Sequence, residues 1–508
     1  MQRLPHTSLF RRILFGSLFV YSLTLSSQNS PNSFQKSTPE EEGISSQAIL
    51  DFVESLEQKI DAVHSFMLIR HGKQIAQGWW APYNAPTPHL MHSLSKSFTS
   101  TAIGLAVGEG KLSLNDQVIS FFPKYIPDST SYNLKAMRIR DLITMNTGHM
   151  QEPWALGEEN WAKFFLSQEV PLKPGTHFKY NSMATYMLSA IIQEVTGERL
   201  VAYLEPRLFQ PLGIPTPYWD TCPMGIHTGG WGLRIRTEDI AKLGQLYLQK
   251  GVWNGKRILS EEWVEMASSK QTSNGSNPDS DWEQGYGFQF WRCRHNAYRG
   301  DGAMGQFCIV IPDHDAVIAI TAGTNDMGGI MQVVWDQLLP EMKAEALPAN
   351  RTVNKLLERK TQDLTLDPVV GEADNPLSKK LRKITYNLEE NKEGVNGISF
   401  HLGKKEPYLS ILMDHGEEII PIGWEMYEKS RLKQYIPHVR NVPSEIAASG
   451  AWTDPQTYQL KMYLVETPAR MTYSFHFEGN KLTWKTELEH SLFGPREPEV
   501  LSGFQIQN

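Results

Sequence analysis

The residues His92-Ser93-Leu94-Ser95-Lys96-Ser97-Phe98 open an apolar run, SFTSTAIGLAVG (97–108), whose spacing predicts an α-helix. In a helix, the side chains at positions i and i+3 lie one turn apart on the same face, so Lys96 Nζ can approach Ser93 Oγ. A neutral lysine there takes the hydroxyl proton, and the backbone dipoles near a helix N-terminus favour negative charge on the oxygen. The pattern therefore predicts Ser93 as a nucleophile and Lys96 as its activating group.

The S-x-x-K spacing is weak by itself. It also occurs at Ser33/Lys36 and at Ser430/Lys433, where nothing else supports catalysis. The alternative for Ser93 is a serine-rich helix start that caps its own backbone. Two further motifs favour the catalytic interpretation.

The segment PGTHFKYNS (174–182) places Tyr180 after a Pro-Gly turn and before a predicted helix. From this position the phenol can project into a cleft as a second base or a proton shuttle. Its ordinary pKa is about 10, so it needs the neighbouring lysine charge to become a phenolate near neutrality. The alternative is a tyrosine ring packed in the core.

The segment GDGAMGQ (300–306) matches G-x-G-x-x-G, but a β-hairpin follows it instead of a helix, which excludes a dinucleotide site. Glycines at a strand permit close approach of another backbone or a ligand. The backbone N–H of Ala303 can therefore pair with that of Ser93 as an oxyanion hole. His89 and His92 lack a third ligand, and the sequence predicts neither a metal nor a cofactor.

Hydrophobic periodicity predicts an α+β fold. The order of helix, hairpin, helical block, antiparallel strands and helix predicts one sheet assembled from both ends of a domain, with a helical insertion between them. The predicted helices are 45–60, 97–108 and 330–342, and the predicted strands are 65–70, 74–80, 286–291, 306–311 and 316–322.

This first domain is predicted over residues 40–346. A polar linker is predicted at 347–374, and period-two runs at 375–508 predict an antiparallel β domain, sandwich or barrel. Residues 1–27 combine arginines, a short apolar run and a polar end, the pattern of a secretory signal peptide. We therefore expect a periplasmic or secreted protein with no stable membrane insertion once that segment is removed.

The amino-acid composition limits the classes of molecule that the protein is expected to bind. The chain has 508 residues with 49 Lys+Arg against 56 Asp+Glu, a net charge of −7, so it lacks a basic surface for nucleic acid. Its 3 cysteines build no disulfide framework, and whether Cys293 and Cys308 pair is left open, as is the oligomeric state. A small-molecule ester, amide or peptide is the expected partner.

Five segments, in consistent order, resemble the serine β-lactamase and penicillin-binding-protein superfamily, specifically class C β-lactamases and their related esterases and D-amino-acid peptidases. They are HSLSKSFTSTAIGLAVGEGKLSLNDQV (92–118), IRDLITMNTG (139–148), PGTHFKYNS (174–182), GGWGLRIRTEDIAKLGQLYL (229–248) and DGAMGQFCIVIPDHDAVIAITAG (301–323). The resemblance implies a β-lactamase/transpeptidase-like fold and an acyl-enzyme mechanism.

By that resemblance Ser93 is acylated, Lys96 activates it, Tyr180 is the general base, and the amides of Ser93 and Ala303 form the oxyanion hole. The substrate-binding residues it implies are Ser182, Asp301 and Gly302.

Two departures from the family pattern bear on the substrate. Ser182 stands where the family usually has asparagine, and Asp301 stands in a motif where a cation usually holds a substrate carboxylate. Arg299 can compensate for the negative charge of Asp301 only if its side chain reaches past the strand. We therefore expect an exported esterase or amidase for neutral or amine-bearing substrates. The alternatives are a β-lactamase or D,D-peptidase for carboxylate-bearing substrates, and a non-catalytic binding protein on a hydrolase fold.

Overall fold

The structure is a computed structural model, and it describes residues 32–155, 157–437, 439, 444–491 and 496–506. The predicted signal peptide at 1–27 lies outside these ranges.

The helices follow local sequence signals: the Ser45 side chain, for example, accepts a hydrogen bond from Ala48 N and caps the N-terminus of the first helix. The α-helices are α1 (Ser46–Lys59), α2 (Ser95–Gly108), α3 (Tyr132–Ala136), α4 (Ile139–Ile143), α5 (Trp161–Ser167), α6 (Ser182–Thr196), α7 (Leu200–Leu204), α8 (Gln210–Leu212), α9 (Thr237–Leu248), α10 (Glu261–Ser268), α11 (Met327–Val333), α12 (Arg351–Gln362) and α13 (Pro376–Leu381). Short 3-10 turns lie at Glu40–Glu42, His92–Leu94, Val118–Phe121, Pro123–Tyr125, Pro312–His314 and Leu339–Glu341, and π turns at Glu205–Phe209 and Val334–Leu338.

The strands divide between the two halves of the chain. Those before α12 are β1 (Gln35–Lys36), β2 (Val63–Arg70), β3 (Lys73–Trp79), β4 (His89–Leu90), β5 (Tyr218–Trp219), β6 (Leu233–Ile235), β7 (Val252–Trp253), β8 (Lys256–Arg257), β9 (Trp291–Arg292), β10 (Tyr298–Gly302), β11 (Gln306–Ile311) and β12 (Ala316–Ala322). Those after it are β13 (Thr385–Leu388), β14 (Val395–His401), β15 (Tyr408–Met413), β16 (Gly416–Pro421), β17 (Glu428–Leu432), β18 (Ser444–Trp452), β19 (Thr457–Leu464), β20 (Arg470–Glu478), β21 (Lys481–Leu488) and β22 (Glu499–Gln505).

The central sheet has the order β1-β3-β2-β12-β11-β10-β9. Strands β2 and β12 come from opposite ends of this part of the chain and pair antiparallel, with Leu68 opposite Ile318. The β2–β3 hairpin turns at His71 and Gly72, which have φ of 49° and 73°, as a tight hairpin turn requires. The predicted sheet built from both ends, with helices inserted between, is confirmed. We call the part from β1 to the turn at Leu339–Glu341 the N-terminal domain.

The predicted strand at 286–291 is wrong, because β9 begins only at its last residue, Trp291. Gln289 has φ of 64° and bends the segment. Its side-chain amide is used in tertiary hydrogen bonds: Nε2 donates to Ile143 O at 2.7 Å and Oε1 accepts from Thr185 Oγ1 at 2.7 Å. These bonds fix the bend in place of a strand.

The segment predicted as a linker contains α12, which packs on α1 and β3. Its polar sequence buries one apolar side chain, Leu357, and the residues that follow add Leu364 and Leu366 to the same core. The segment is therefore an integrated part of the fold.

Strands β13–β22 form the β domain, a barrel-like antiparallel sheet. Its order is β16-β15-β14-β13-β22-β21-β20-β19-β18-β17, and its two edge strands, β16 and β17, contact each other. Trp484, Tyr473 and Phe475 are fully buried in its core. Of the two predicted shapes, the barrel is the one found.

Two apolar cores cover the two faces of the central sheet. One lies against α2, α6 and α9 and contains Cys308, whereas the other lies against α1 and α11 and contains Cys293. The two cysteines are free because they belong to cores on opposite faces, so the open question of their pairing is answered against a disulfide.

Candidate active site

Ser93 lies in the 3-10 turn His92–Leu94, directly before α2. His92, one residue earlier, has φ of 44°, in the left-handed region that a non-glycine residue rarely adopts. Such strained residues cluster at functional sites. Burial lowers the pKa of the His92 imidazole to about 4, with the charges of Lys96 and Arg234 acting in the same direction, so this ring is neutral.

Lys96 is 2% exposed and reaches the Ser93 hydroxyl as predicted, with Nζ 3.0 Å from Oγ. Its amine also donates to Gly230 O at 2.8 Å and to Ser182 Oγ at 3.2 Å. Burial lowers its pKa from 10.5 to about 7, against the smaller opposing effects of Glu152 and Asp301. A neutral amine that donates its two N–H groups to Gly230 and Ser182 turns its lone pair toward Ser93, which is the arrangement of a general base.

Tyr180 lies beside this pair, with Lys96 Nζ 4.7 Å from the centroid of its ring. The ring stacks on Trp291 at a centroid distance of 5.5 Å. Burial raises the pKa of the phenol well above its ordinary value, the charge of Asp301 raises it further, and a hydrogen bond with Ser93 acts in the opposite direction. The phenol of the resting site is therefore protonated at neutral pH, and its role as general base stays a prediction.

Ser182 is the first residue of α6 and is 6% exposed. The Asn181 side chain caps this helix by accepting from Ala184 N at 3.0 Å. This cap turns Asn181 away from the site and leaves Ser182 Oγ as a partner of Lys96. The shorter side chain thus contacts the activating amine, where the family pattern predicted a substrate contact.

Glu152 is a site residue that the sequence did not indicate. Its Oε1 accepts a hydrogen bond from Ser182 N, and its charge acts on both Lys96 and Tyr180. It lies in the loop between α4 and α5, and no motif marks it. Gly230, the other partner that was missed, stands in the run GGWG (229–232), where the glycines offered a signal.

Strand β10 passes against the nucleophile turn, and its glycines permit this approach. A Cβ on Gly300 would lie 2.5 Å from Ser97 Oγ, and one on Gly302 would collide with Met91 O. Ala303 directly follows Gly302, the last residue of this strand, and β10 contacts the His92–Leu94 turn. The oxyanion hole formed by the amides of Ser93 and Ala303 stays a prediction.

Arg299 and Asp301 lie on the same face of β10, since they are two residues apart. Arg299 Nη2 lies 2.8 Å from Asp301 Oδ2, and Nε donates to the same oxygen at 3.0 Å. Arg299 is fully buried and its Nη1 donates to Asp281 O, so its charge is held inside the fold and balances Asp301. Arg299 therefore neutralises the Asp301 charge from the same face of β10, without reaching past the strand.

No group of three or more His, Cys, Asp or Glu suited to a metal ion occurs within the ranges that the structure describes. His89, one of the histidines considered above, instead has its Nε2 3.0 Å from Nδ1 of buried His64. Likewise, no helix of the described part is long and apolar enough to cross a membrane.

Known proteins are similar to this chain in sequence and in fold. The chain is 24% identical to the 6-aminohexanoate-dimer hydrolase of Paenarthrobacter ureafaciens, over 55% of this chain and 78% of that protein. It is 27% identical to the D-aminopeptidase of Brucella anthropi, over 29% of this chain and 31% of that protein. A solved structure of a candidate 6-aminohexanoate-dimer hydrolase from Bacillus anthracis superposes with a TM-score of 0.52, at 20% identity, over 62% of this chain and 89% of that one.

The sequence profile of the Beta-lactamase family matches residues 53–338, more than half of the chain. This range contains Ser93, Lys96 and Tyr180, which the fold brings together around one amine. The chain therefore belongs to the Beta-lactamase family of serine hydrolases.

Proposed function

We propose that this protein is an exported serine hydrolase that cleaves a neutral or amine-bearing ester or amide through an acyl-enzyme at Ser93. The observation that carries the proposal is the Lys96 amine, buried, 3.0 Å from the Ser93 hydroxyl, and with a pKa of about 7. An amine with this pKa is neutral in a large fraction of molecules at pH 7 and can take the proton of an attacking hydroxyl.

In the proposed reaction, Ser93 Oγ forms a bond to the substrate carbonyl carbon while its proton passes to Lys96 Nζ. The oxyanion lies between the amides of Ser93 and Ala303. Tyr180, a phenol in the resting site, passes a proton to the leaving alcohol or amine as the carbonyl re-forms. Water then attacks the carbonyl carbon of the acyl-enzyme and gives its proton to the Tyr180 phenolate, and the bond to Ser93 Oγ breaks as Lys96 returns its proton to that oxygen.

The charges of the site support a neutral or cationic substrate. A substrate carboxylate needs a free cation, but Arg299 is buried and paired with Asp301. Arg234, whose charge reaches His92, is ion-paired with Asp220 at 2.8 Å, and Lys96 loses its charge in order to act as a base. Glu152 adds a negative charge near the same amine. Two relatives named above are, by name, a 6-aminohexanoate-dimer hydrolase and a D-aminopeptidase, which supports an amide as the bond cleaved.

The test compares initial rates on short-chain aryl esters, amino-acyl amides and a chromogenic cephalosporin, with Ser93→Ala as the control. We expect wild type to favour the esters or amides and Ser93→Ala to be inactive. A cephalosporin cleaved far faster than either would establish the β-lactamase alternative. Export is tested separately by the N-terminal sequence of the protein recovered from the periplasm or medium.

A further inference from the structure

The β domain packs against the N-terminal domain through a common hydrophobic core, in addition to the covalent connection of the chain. Ala447, Tyr463 and Val465 of the β domain are buried in the same core as α1 and α11 of the N-terminal domain. Tyr463 meets the rings of Tyr83 and His64 edge-on, at centroid distances of 5.9 and 6.2 Å. An arrangement of this kind fixes the relative position of the two domains.

The turn between β19 and β20 contacts the N-terminal domain at Leu90, three residues before the nucleophile. We call residues 465–468 the interface turn. Glu466 O accepts a hydrogen bond from Leu90 N at 2.8 Å, and Thr467 O accepts one from Tyr83 Oη at 3.0 Å. Pro468 O lies so near Gly323 that a Cβ on this glycine would be 2.5 Å from it. Three consecutive carbonyl groups of the β domain therefore face the N-terminal domain.

The strand held by these contacts leads directly into the catalytic turn. Leu90 belongs to β4 and precedes Ser93 by three residues. Met91 N donates to Leu233 O at 2.8 Å, and the strained His92 follows. A strand of two residues, His89–Leu90, has few hydrogen bonds of its own with which to hold a strained turn.

We propose that the interface turn of the β domain positions the Ser93 nucleophile. It accepts a hydrogen bond from the backbone of β4 and thereby stabilises the His92–Leu94 turn that follows this strand. The β domain is then part of the catalytic unit. This inference rests on the proposed function, in which Ser93 is acylated.

The experiment measures two quantities on the full chain: the rate at which a fluorophosphonate labels Ser93, and hydrogen exchange of the peptide that contains Leu90. The first variant, Tyr83→Phe, removes the donor to Thr467 O. The second, Gly323→Ala, places a Cβ 2.5 Å from Pro468 O and 2.9 Å from His64 Cε1, and so forces the interface turn to shift. Matched controls that alter the β domain away from this turn are Tyr473→Phe, which removes a hydroxyl that donates to Pro437 O at 3.2 Å, and Gly450→Ala, which is crowded by Tyr458 Oη at 2.5 Å.

We expect Tyr83→Phe to accelerate exchange at Leu90 and to slow labelling about fivefold, the equivalent of one neutral hydrogen bond. Gly323→Ala should slow labelling about tenfold or more, since small displacements of reacting groups are costly. The controls should label at the wild-type rate even where they lower the melting temperature.

Faster exchange with unchanged labelling would overturn the positioning role, and so would unchanged exchange in both interface variants. Wild type that is not labelled at all, like Ser93→Ala, would instead refute the proposed function, while the exchange measurement would still report whether the turn holds β4.

Discussion

Replacement of Lys96 by methionine is expected to inactivate the protein and to stabilise it. The folded protein lowers the pKa of this amine from 10.5 to about 7 because the group is buried. At pH values between these two, the unfolded chain binds a proton that the folded one resists, so ionisation of Lys96 opposes folding. The destabilisation is largest near and below pH 7 and disappears as the pH rises toward 10.5.

At 1.36 kcal/mol per pKa unit, this effect amounts to about 4 kcal/mol at pH 7 and about 2 kcal/mol at pH 9. Methionine removes it, but leaves Ser93, Ser182 and Gly230 O without their partner, at a cost of about 1–3 kcal/mol. We therefore expect Lys96→Met to be more stable than wild type by about 1–3 kcal/mol at pH 7, and to lose about 2 kcal/mol of that advantage by pH 9.

The assay is urea unfolding of both proteins at pH 7, 8 and 9, because the difference between them cancels every other titrating group. Lys242→Met serves as the control: Lys242 is also 2% exposed, but it is ion-paired with Glu238 at 3.3 Å, so its loss should destabilise the protein at each pH. If the difference in free energy of unfolding between wild type and Lys96→Met did not change with pH, the claim that the folded protein lowers the pKa of Lys96 would be refuted.

Three further predictions follow from the same site. Glu152→Gln should move the acid limb of the activity profile to lower pH, because activity requires neutral Lys96 and the Glu152 charge raises the pKa of that amine; exposed Glu159→Gln should leave the limb in place. Tyr180→Phe should lower kcat about 10²–10⁴-fold with little change in KM, as expected for loss of a proton-transfer group. Arg299→Met should lower the free energy of unfolding by about 3–5 kcal/mol in urea titrations, since it leaves Asp301 buried without its partner, and Asp301→Asn in the same chain should recover part of the loss.

Much of the fold was predictable where the signal is local. The serine cap of α1 and the His71-Gly72 turn act within a few residues, and the S-x-x-K spacing places two side chains on one helical face. The strand predicted at 286–291 was wrong because the Gln289 side chain forms hydrogen bonds with residues more than a hundred positions away. These bonds override the strand-like alternation of the segment.

The electrostatics of the site could not be predicted from the motifs. Glu152 joins the site through the backbone N–H of Ser182, a contact that leaves no pattern in the sequence. The pairing of Arg299 with Asp301 depends on which face of β10 they share and on what covers that face. Burial is the main cause of the shifted pKa values of Lys96 and Tyr180, and burial depends on the whole fold.

The central claim is that Ser93 is acylated with the help of Lys96, and intact-protein mass spectrometry tests it most directly. Wild type is incubated with a panel of aryl esters, amino-acid amides and β-lactams, and the adduct is located by peptide mapping. We expect wild type to gain the mass of one acyl group at Ser93, and Ser93→Ala to gain none. An adduct on another residue, or the same adduct in both proteins, would contradict the account.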